Sequence, residues 1–213
     1  MKIYFDGCSF TSGRPYLSDY ETQRYSRKVS EHFQAEEYNI SKTGISNQRI
    51  LRNFSVNYSD LLDECDLAVV QLTYRNRTEF YDDLKDDWHK INPVIPENPK
   101  EYAAKVGSDE IICRSFRKRG EKWNARFWTD YYMNVYSHKF GRGVEEMVFN
   151  SIKGIAASKN IRLIMIGVPE VDINLSYDLL LDHYPCMEKG YEPHPNQLGH
   201  LMISRDLIKM IER

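Results

Sequence analysis

The chain has 213 residues, is 41% hydrophobic and 28% charged, and carries a formal net charge of -2. These values fit one globular domain, or one domain with a large insertion, and exclude the global basic field that recruits nucleic acid. The four cysteines, Cys8, Cys65, Cys113 and Cys186, are far apart and form no CxxC pair, which argues against a zinc knuckle or a disulfide framework. Cysteines used this way suit a reducing compartment. No stretch approaches the roughly 18 apolar residues of a membrane span. The opening MKIYFDGC enters a strand at once, without the apolar run of a secretory signal, so the expectation is a cytoplasmic protein, with virion association left open.

In chain order, KIYF (2–5) reads as a strand that stops abruptly in GCSFTSG. SDYETQRYSRKVSEHF (18–33) reads as a helix with Tyr25, Val29 and Phe33 at steps of four. EYNIS (37–41) is a short strand, and SNQRILRNFSVNYSDLLDE (46–64) a helix with Ile50, Phe54 and Leu61 on one side. DLAVVQLT (66–73) and IRLIMIGV (161–168) are nearly continuous apolar runs, as in central parallel strands covered on both faces. VEEMVFNSIKGIAASKN (144–160) and GHLMISRDLIKMIER (199–213) read as amphipathic helices. Strands alternating with helices predict a three-layer α/β fold with a parallel sheet. The interval 77–143 is too long for an ordinary loop and reads as an insertion rising from the end of the third strand. It contains NPVIPENPK and then a basic, aromatic stretch from Cys113 to Phe140.

In a doubly wound sheet, ligand sites form outside the carboxyl ends of the strands. Ser9 follows the first strand, SKTGISNQR (41–49) the second, and TYRNRTEF (73–80) the third. GYEPHPNQLGH (190–200) precedes the last helix and carries His194 and His200. A nucleophile on a tight turn after a buried strand is a recurring active-site device. The plainer reading of the same residues is a turn built from Gly and Ser.

Together these segments resemble the SGNH (GDSL-type) hydrolase superfamily. The first block appears as Gly7-Cys8-Ser9, the second as Gly44 in TGISNQRI, and the last as EPHPNQLGH, the most specific match. The resemblance covers roughly residues 1–76 and 146–213, and it is nearer to divergent, often phage-encoded members than to secreted lipases. It implies a flavodoxin-like three-layer core; the insertion, 77–143, has no counterpart in the family's minimal form and is expected to be either a lid or cap over the site or a partner-binding or oligomer surface, and not an independent domain. It also implies esterase chemistry without cofactor or metal. Ser9 would be the nucleophile, His194 its base, and Glu192 the acid that orients the imidazole. The amides of Ser9 and Gly44 would hold the oxyanion.

The chain departs from the family pattern in several places. The usual acid position, three residues before the His, is Tyr191, so the role falls to Glu192 or to Asp182 from the preceding loop. The third-block Asn is replaced by Thr73, with Asn76 and Asn47 as other candidates for the oxyanion hole. Cys8 stands in place of the first-block Asp and is itself a candidate nucleophile. His200 reads as structural. Arg75 and Arg77 read as a solvated or substrate-facing pair, Arg75 being the candidate for substrate binding. Trp123, Phe127, Trp128, Tyr131 and Tyr132 either stack on a substrate ring or pack the insertion's own core.

The expected partner is a small-molecule or glycan ester, for example an O-acetyl ester on a sugar, with neither membrane nor nucleic acid. Single-strand contact through RSFRKRGEKWNAR (114–126) is weakened by the overall charge. A homo-oligomer, and a catalytically inactive module serving in binding or structure, remain alternatives.

Overall fold

The computed structural model describes residues 1–82, 87–91, 130–132, 134–169, 174–186 and 194–213. Among the described residues, five parallel strands form the central sheet: β1 (Lys2–Asp6), β2 (Glu36–Asn39), β3 (Leu67–Leu72), β6 (Arg162–Gly167) and β7 (Leu179–Leu180). Their order is β2-β1-β3-β6-β7, a doubly wound arrangement. The register sets Phe5 beside Val69 and Val69 beside Ile164. All six residues of β3 are buried, as a central strand covered on both faces requires. The fold is the expected three-layer α/β class. The short edge strand β7 has no signature in the sequence, because two residues carry no periodicity.

The described residues include the helices α1 (Ser9–Ser12), α2 (Tyr20–Gln23), α3 (Tyr25–His32), α4 (Asn47–Arg52), α5 (Ser59–Asp63), α6 (His138–Ser158) and α7 (Gln197–Ile211). Helix α7 packs on α3, while α6 packs on α4 and on β6. Two expected helices are broken. Between 18 and 33 the chain turns extended at Arg24 (φ -64°, ψ 146°), whose guanidinium grips Glu37 of β2 at 3.1 and 3.0 Å. Between 46 and 64 a π-helical turn, Asn53–Asn57, separates α4 from α5. It lets the buried Asn53 donate to Asp6 at 3.1 Å.

After β3 an antiparallel hairpin, β4 (Thr78–Asp82) and β5 (Asp87–Ile91), leaves the sheet and packs on α4. Arg52 of α4 pairs with Glu79 and lies 3.7 Å from the Trp88 ring centroid. Helix α6 begins at His138, six residues earlier than expected, with the Ser137 side chain accepting from Phe140 N–H at 3.1 Å.

Asp6 ends β1 in full burial. Its carboxylate accepts from Gly7 N–H (2.7 Å), Asn53 and the Tyr4 hydroxyl (3.3 Å). Burial dominates over these bonds and pushes its pKa from 3.8 up to about 7. Between those values the folded state holds a proton that the unfolded state has lost. Its contribution is therefore full below about pH 4 and falls as the pH rises through 7. Asparagine does not titrate. Urea melts of wild type and Asp6→Asn should show the wild type losing ground to the variant by about 1.4 kcal/mol per pH unit in that window, and by nothing further above it.

Candidate active site

The turn after β1 is built for close approach. Gly7 has φ +151°, and a Cβ there would lie 2.8 Å from Gln71 Oε1 and against the Thr11 hydroxyl. From β3, Gln71 Oε1 accepts from Cys8 N–H (3.1 Å), the Thr11 hydroxyl (3.0 Å) and the Cys8 thiol (3.5 Å). Ser9 then opens α1. As the first helical residue its N–H has no acceptor within the helix. The loop after β2 is tied to this turn: Lys42 N–H donates to Gly7 O at 3.0 Å, and the Thr43 hydroxyl donates to Arg14 O at 2.8 Å. Gly44 follows within that loop.

Ser9 Oγ lies 2.7 Å from His194 Nε2, across 185 residues of chain. Both residues are only 2% exposed. The His194 ring lies between two aromatics, Tyr16 stacked at 3.6 Å between centroids and Phe10 tilted at 4.6 Å. Neither ring was picked out in the sequence reading. Phe10 shares a helical turn with Ser9, and nothing in the pattern around Tyr16 points to His194.

The His-Pro-Asn-x-x-Gly-His segment is explained residue by residue. Pro195 bridges to Cys186, and Asn196 N–H donates to Pro185 O at 3.1 Å. The Asn196 side chain caps α7 by accepting from Gly199 N–H at 2.9 Å. Gly199 sits against the Pro185 carbonyl, where a Cβ would collide, and such a Cβ would also lie 3.1 Å from Pro195. His200 is buried and accepts from Tyr25 N–H at 3.2 Å through Nδ1. Burial first, then repulsion from His194 and Lys28, lowers its pKa to about 4. It is a neutral structural residue linking α7 to α3.

The other candidates are placed as follows. Cys8 is fully buried with its thiol toward Gln71, so Ser9 and not Cys8 meets the imidazole. Asn47 and Thr73 engage each other: Asn47 Oδ1 accepts from Thr73 N–H at 2.7 Å, and Asn47 Nδ2 donates to Thr73 O at 3.0 Å. Asn76 O accepts from the buried Tyr132 at 2.7 Å, so Tyr132 is packing and not an open stacking face.

The solvated reading of Arg77 is corrected. Arg77 is 2% exposed, donates to the Thr73 hydroxyl at 2.6 Å and lies over the Tyr74 ring. Arg75 Nε is 3.8 Å from the buried Glu145 of α6. The internal carboxylate and hydroxyl of neighbouring elements draw both guanidinium groups inward. Asp182 pairs at 3.0 Å with His183, and both are exposed. Glu192, Trp123, Phe127 and Trp128 lie outside the described residues. Among the described residues no cluster of three or more His, Cys, Asp or Glu is arranged to hold a metal.

Gly199→Ala should push α7 off the Pro185 carbonyl, at a cost of about 1–3 kcal/mol by denaturant melt. It should also lengthen the Ser9–His194 contact, since His194 is carried on the same segment.

No protein-family model matches the chain, and no curated protein matches it. Solved structures do. An acetyl xylan esterase, Est2A, from the rumen bacterium Butyrivibrio proteoclasticus aligns over 99% of this chain at TM-score 0.53 and 11% identity. This chain spans 63% of that esterase. The lipase Lip_vut3 from a goat rumen metagenome aligns over 97% of this chain and 96% of its own, at TM-score 0.49 and 14% identity. A lipolytic protein of the G-D-S-L family from Desulfitobacterium hafniense aligns over 98% of both chains, at TM-score 0.38 and 14% identity. By its sheet order and its alignment with the acetyl xylan esterase, the chain has the fold of that esterase, a doubly wound three-layer α/β fold.

Proposed function

We propose that the protein is a serine ester hydrolase that removes an O-acyl group, such as acetyl, from a carbohydrate or another polar molecule. The observation that carries this reading is the 2.7 Å approach of Ser9 Oγ to His194 Nε2. A serine hydroxyl is a weak nucleophile near neutrality unless a base takes its proton, and that separation is within reach for the transfer. Ser9 attacks the acyl carbonyl while His194 accepts the proton. The N–H groups of Ser9 and Gly44 face the oxyanion of the tetrahedral intermediate. His194 returns the proton to the leaving alcohol, and an acyl group remains on Ser9. A water molecule, deprotonated by His194, then releases the carboxylic acid and restores the serine. The acetyl ester is proposed because the acetyl xylan esterase above shares this fold.

Glu192, two residues before the base, is proposed as the group that orients the imidazole and balances its charge. The mutual hydrogen bonds of Asn47 and Thr73 favour a second reading, an inactive binding module. They turn the side chain best suited to a third oxyanion donor toward the Thr73 backbone, using one of its two N–H groups.

Hydrolysis of p-nitrophenyl acetate separates the two readings. The enzyme reading expects turnover that falls by about 10³-fold or more in kcat/KM in both Ser9→Ala and His194→Ala, with folding retained by circular dichroism. Turnover equal to that of the two variants selects the binding module.

A second comparison addresses the acid. Glu192→Gln should lower kcat by about tenfold or more, whereas Asp182→Asn, whose carboxylate already pairs with His183, should stay near wild type. The reverse order assigns the role to Asp182.

A further inference from the structure

The oxyanion proposed at Ser9 needs donors, and Gly44 N–H is one of them. Gly44 is buried and has φ +71°. Among the described residues its N–H meets no acceptor. A buried amide N–H without a partner is rare, and an incoming oxyanion would satisfy it.

The same peptide unit is held from its other side. The Lys90 ammonium donates to the Thr43 carbonyl at 2.6 Å, and that carbonyl belongs to the Thr43–Gly44 peptide. A trans peptide points its C=O and its N–H in opposite directions. Thr43 and Gly44 form a turn. The central peptide of a turn has two orientations related by a flip, and the positive φ of Gly44 belongs to one of them. Lys90 grips the carbonyl in that orientation, so Gly44 N–H is aimed away from the Lys90 ammonium. The bond also polarises the peptide. Electron density drawn to the carbonyl oxygen leaves the N–H a stronger donor, as hydrogen bonds in series strengthen one another. An ammonium carries more than one N–H, so this effect stands beside any other partner of Lys90.

The hairpin is built to hold Lys90 in place. In the β4–β5 ladder Lys90 stands opposite Glu79, which Arg52 of α4 holds. Arg52 also covers the ring of Trp88, two residues before Lys90. Helix α4 starts just beyond Gly44, with Ser46 as its cap. On its other flank the loop is fixed by Lys42 N–H to Gly7 O at 3.0 Å and by the Thr43 hydroxyl to Arg14 O at 2.8 Å.

We infer that Lys90 is a positioning residue for the ester hydrolysis: through the Thr43 carbonyl it fixes and polarises the Gly44 N–H that receives the oxyanion. The inference rests on the hydrolase reading for the oxyanion and on the Lys90–Thr43 contact for the rest. It gives the hairpin of the inserted interval a task that needs no contact with substrate.

Hydrolysis of p-nitrophenyl acetate and the Gly44 amide nitrogen resonance are measured in wild type, Lys90→Met and Lys90→Arg. Lys90→Met should lower kcat by about tenfold with KM near wild type, because the donor acts on charge present only in the transition state. Lys90→Arg, which keeps a cationic N–H donor, should recover most of that loss. By NMR the Gly44 resonance should move upfield in Lys90→Met and return toward its wild-type position in Lys90→Arg. Where Lys90→Met does not fold, Lys90→Gln, which lacks the charge, takes its place in both measurements. An unchanged kcat in Lys90→Met or an unmoved Gly44 resonance overturns the inference. Equal losses in Lys90→Met and Lys90→Arg also overturn it, by assigning Lys90 to packing alone. A wild type without turnover removes the hydrolase reading, and a Gly44 resonance that still moves and returns then upholds the Lys90–Gly44 link by itself.

Discussion

One buried amide oxygen, Oε1 of Gln71, holds the turn on which the rest of the site depends. It takes the Cys8 N–H, the Thr11 hydroxyl and the Cys8 thiol together. Its carrier, β3, is the central strand, paired on both sides and wholly buried. The turn that carries Ser9 is therefore referenced to a strand paired on both sides. Gly7 makes this docking feasible, since any side chain there would occupy the space that Gln71 fills. Buried donors left without such an acceptor would each cost about 1–3 kcal/mol, which would favour another turn conformation.

The histidine side of the site is secured by different means. His194 arrives on a segment that is bridged at Pro195, capped by Asn196 and pressed against Pro185 at Gly199. Helix α7, which follows, is tied to α3 through the neutral His200. The imidazole is then held between Tyr16 and Phe10. Stacking fixes the ring plane without consuming either ring nitrogen, so Nε2 stays directed at Ser9. Ser9 and His194 are thus positioned by separate halves of the chain, which the fold brings together.

The hairpin after β3 links the inserted interval to the same edge. It leans on α4 through the Arg52–Glu79 pair and carries Lys90 to the Thr43 carbonyl. Loops in this position vary readily without disturbing the sheet, because the strands beneath them supply the stability.

Amino-acid order alone determined β3 and β6, whose apolar runs are nearly continuous, the short strand β1 that opens the chain, and the helices with a clear apolar stripe. It also marked Ser9 and His194, because a small residue on a turn after a buried strand and a His-Pro-Asn-x-x-Gly-His ending are local patterns. Tertiary structure alone decided the rest. The breaks at Arg24 and Asn53 exist because Glu37 and Asp6 reward them with hydrogen bonds from other elements. Arg77 turns inward because Thr73 and Tyr74 meet it there. Gln71 is one more residue of an apolar run until Cys8, 63 positions away, is laid against it. Periodicity reports which face of an element is buried. It carries no record of which distant polar group will be waiting on that face, and the site consists of such meetings.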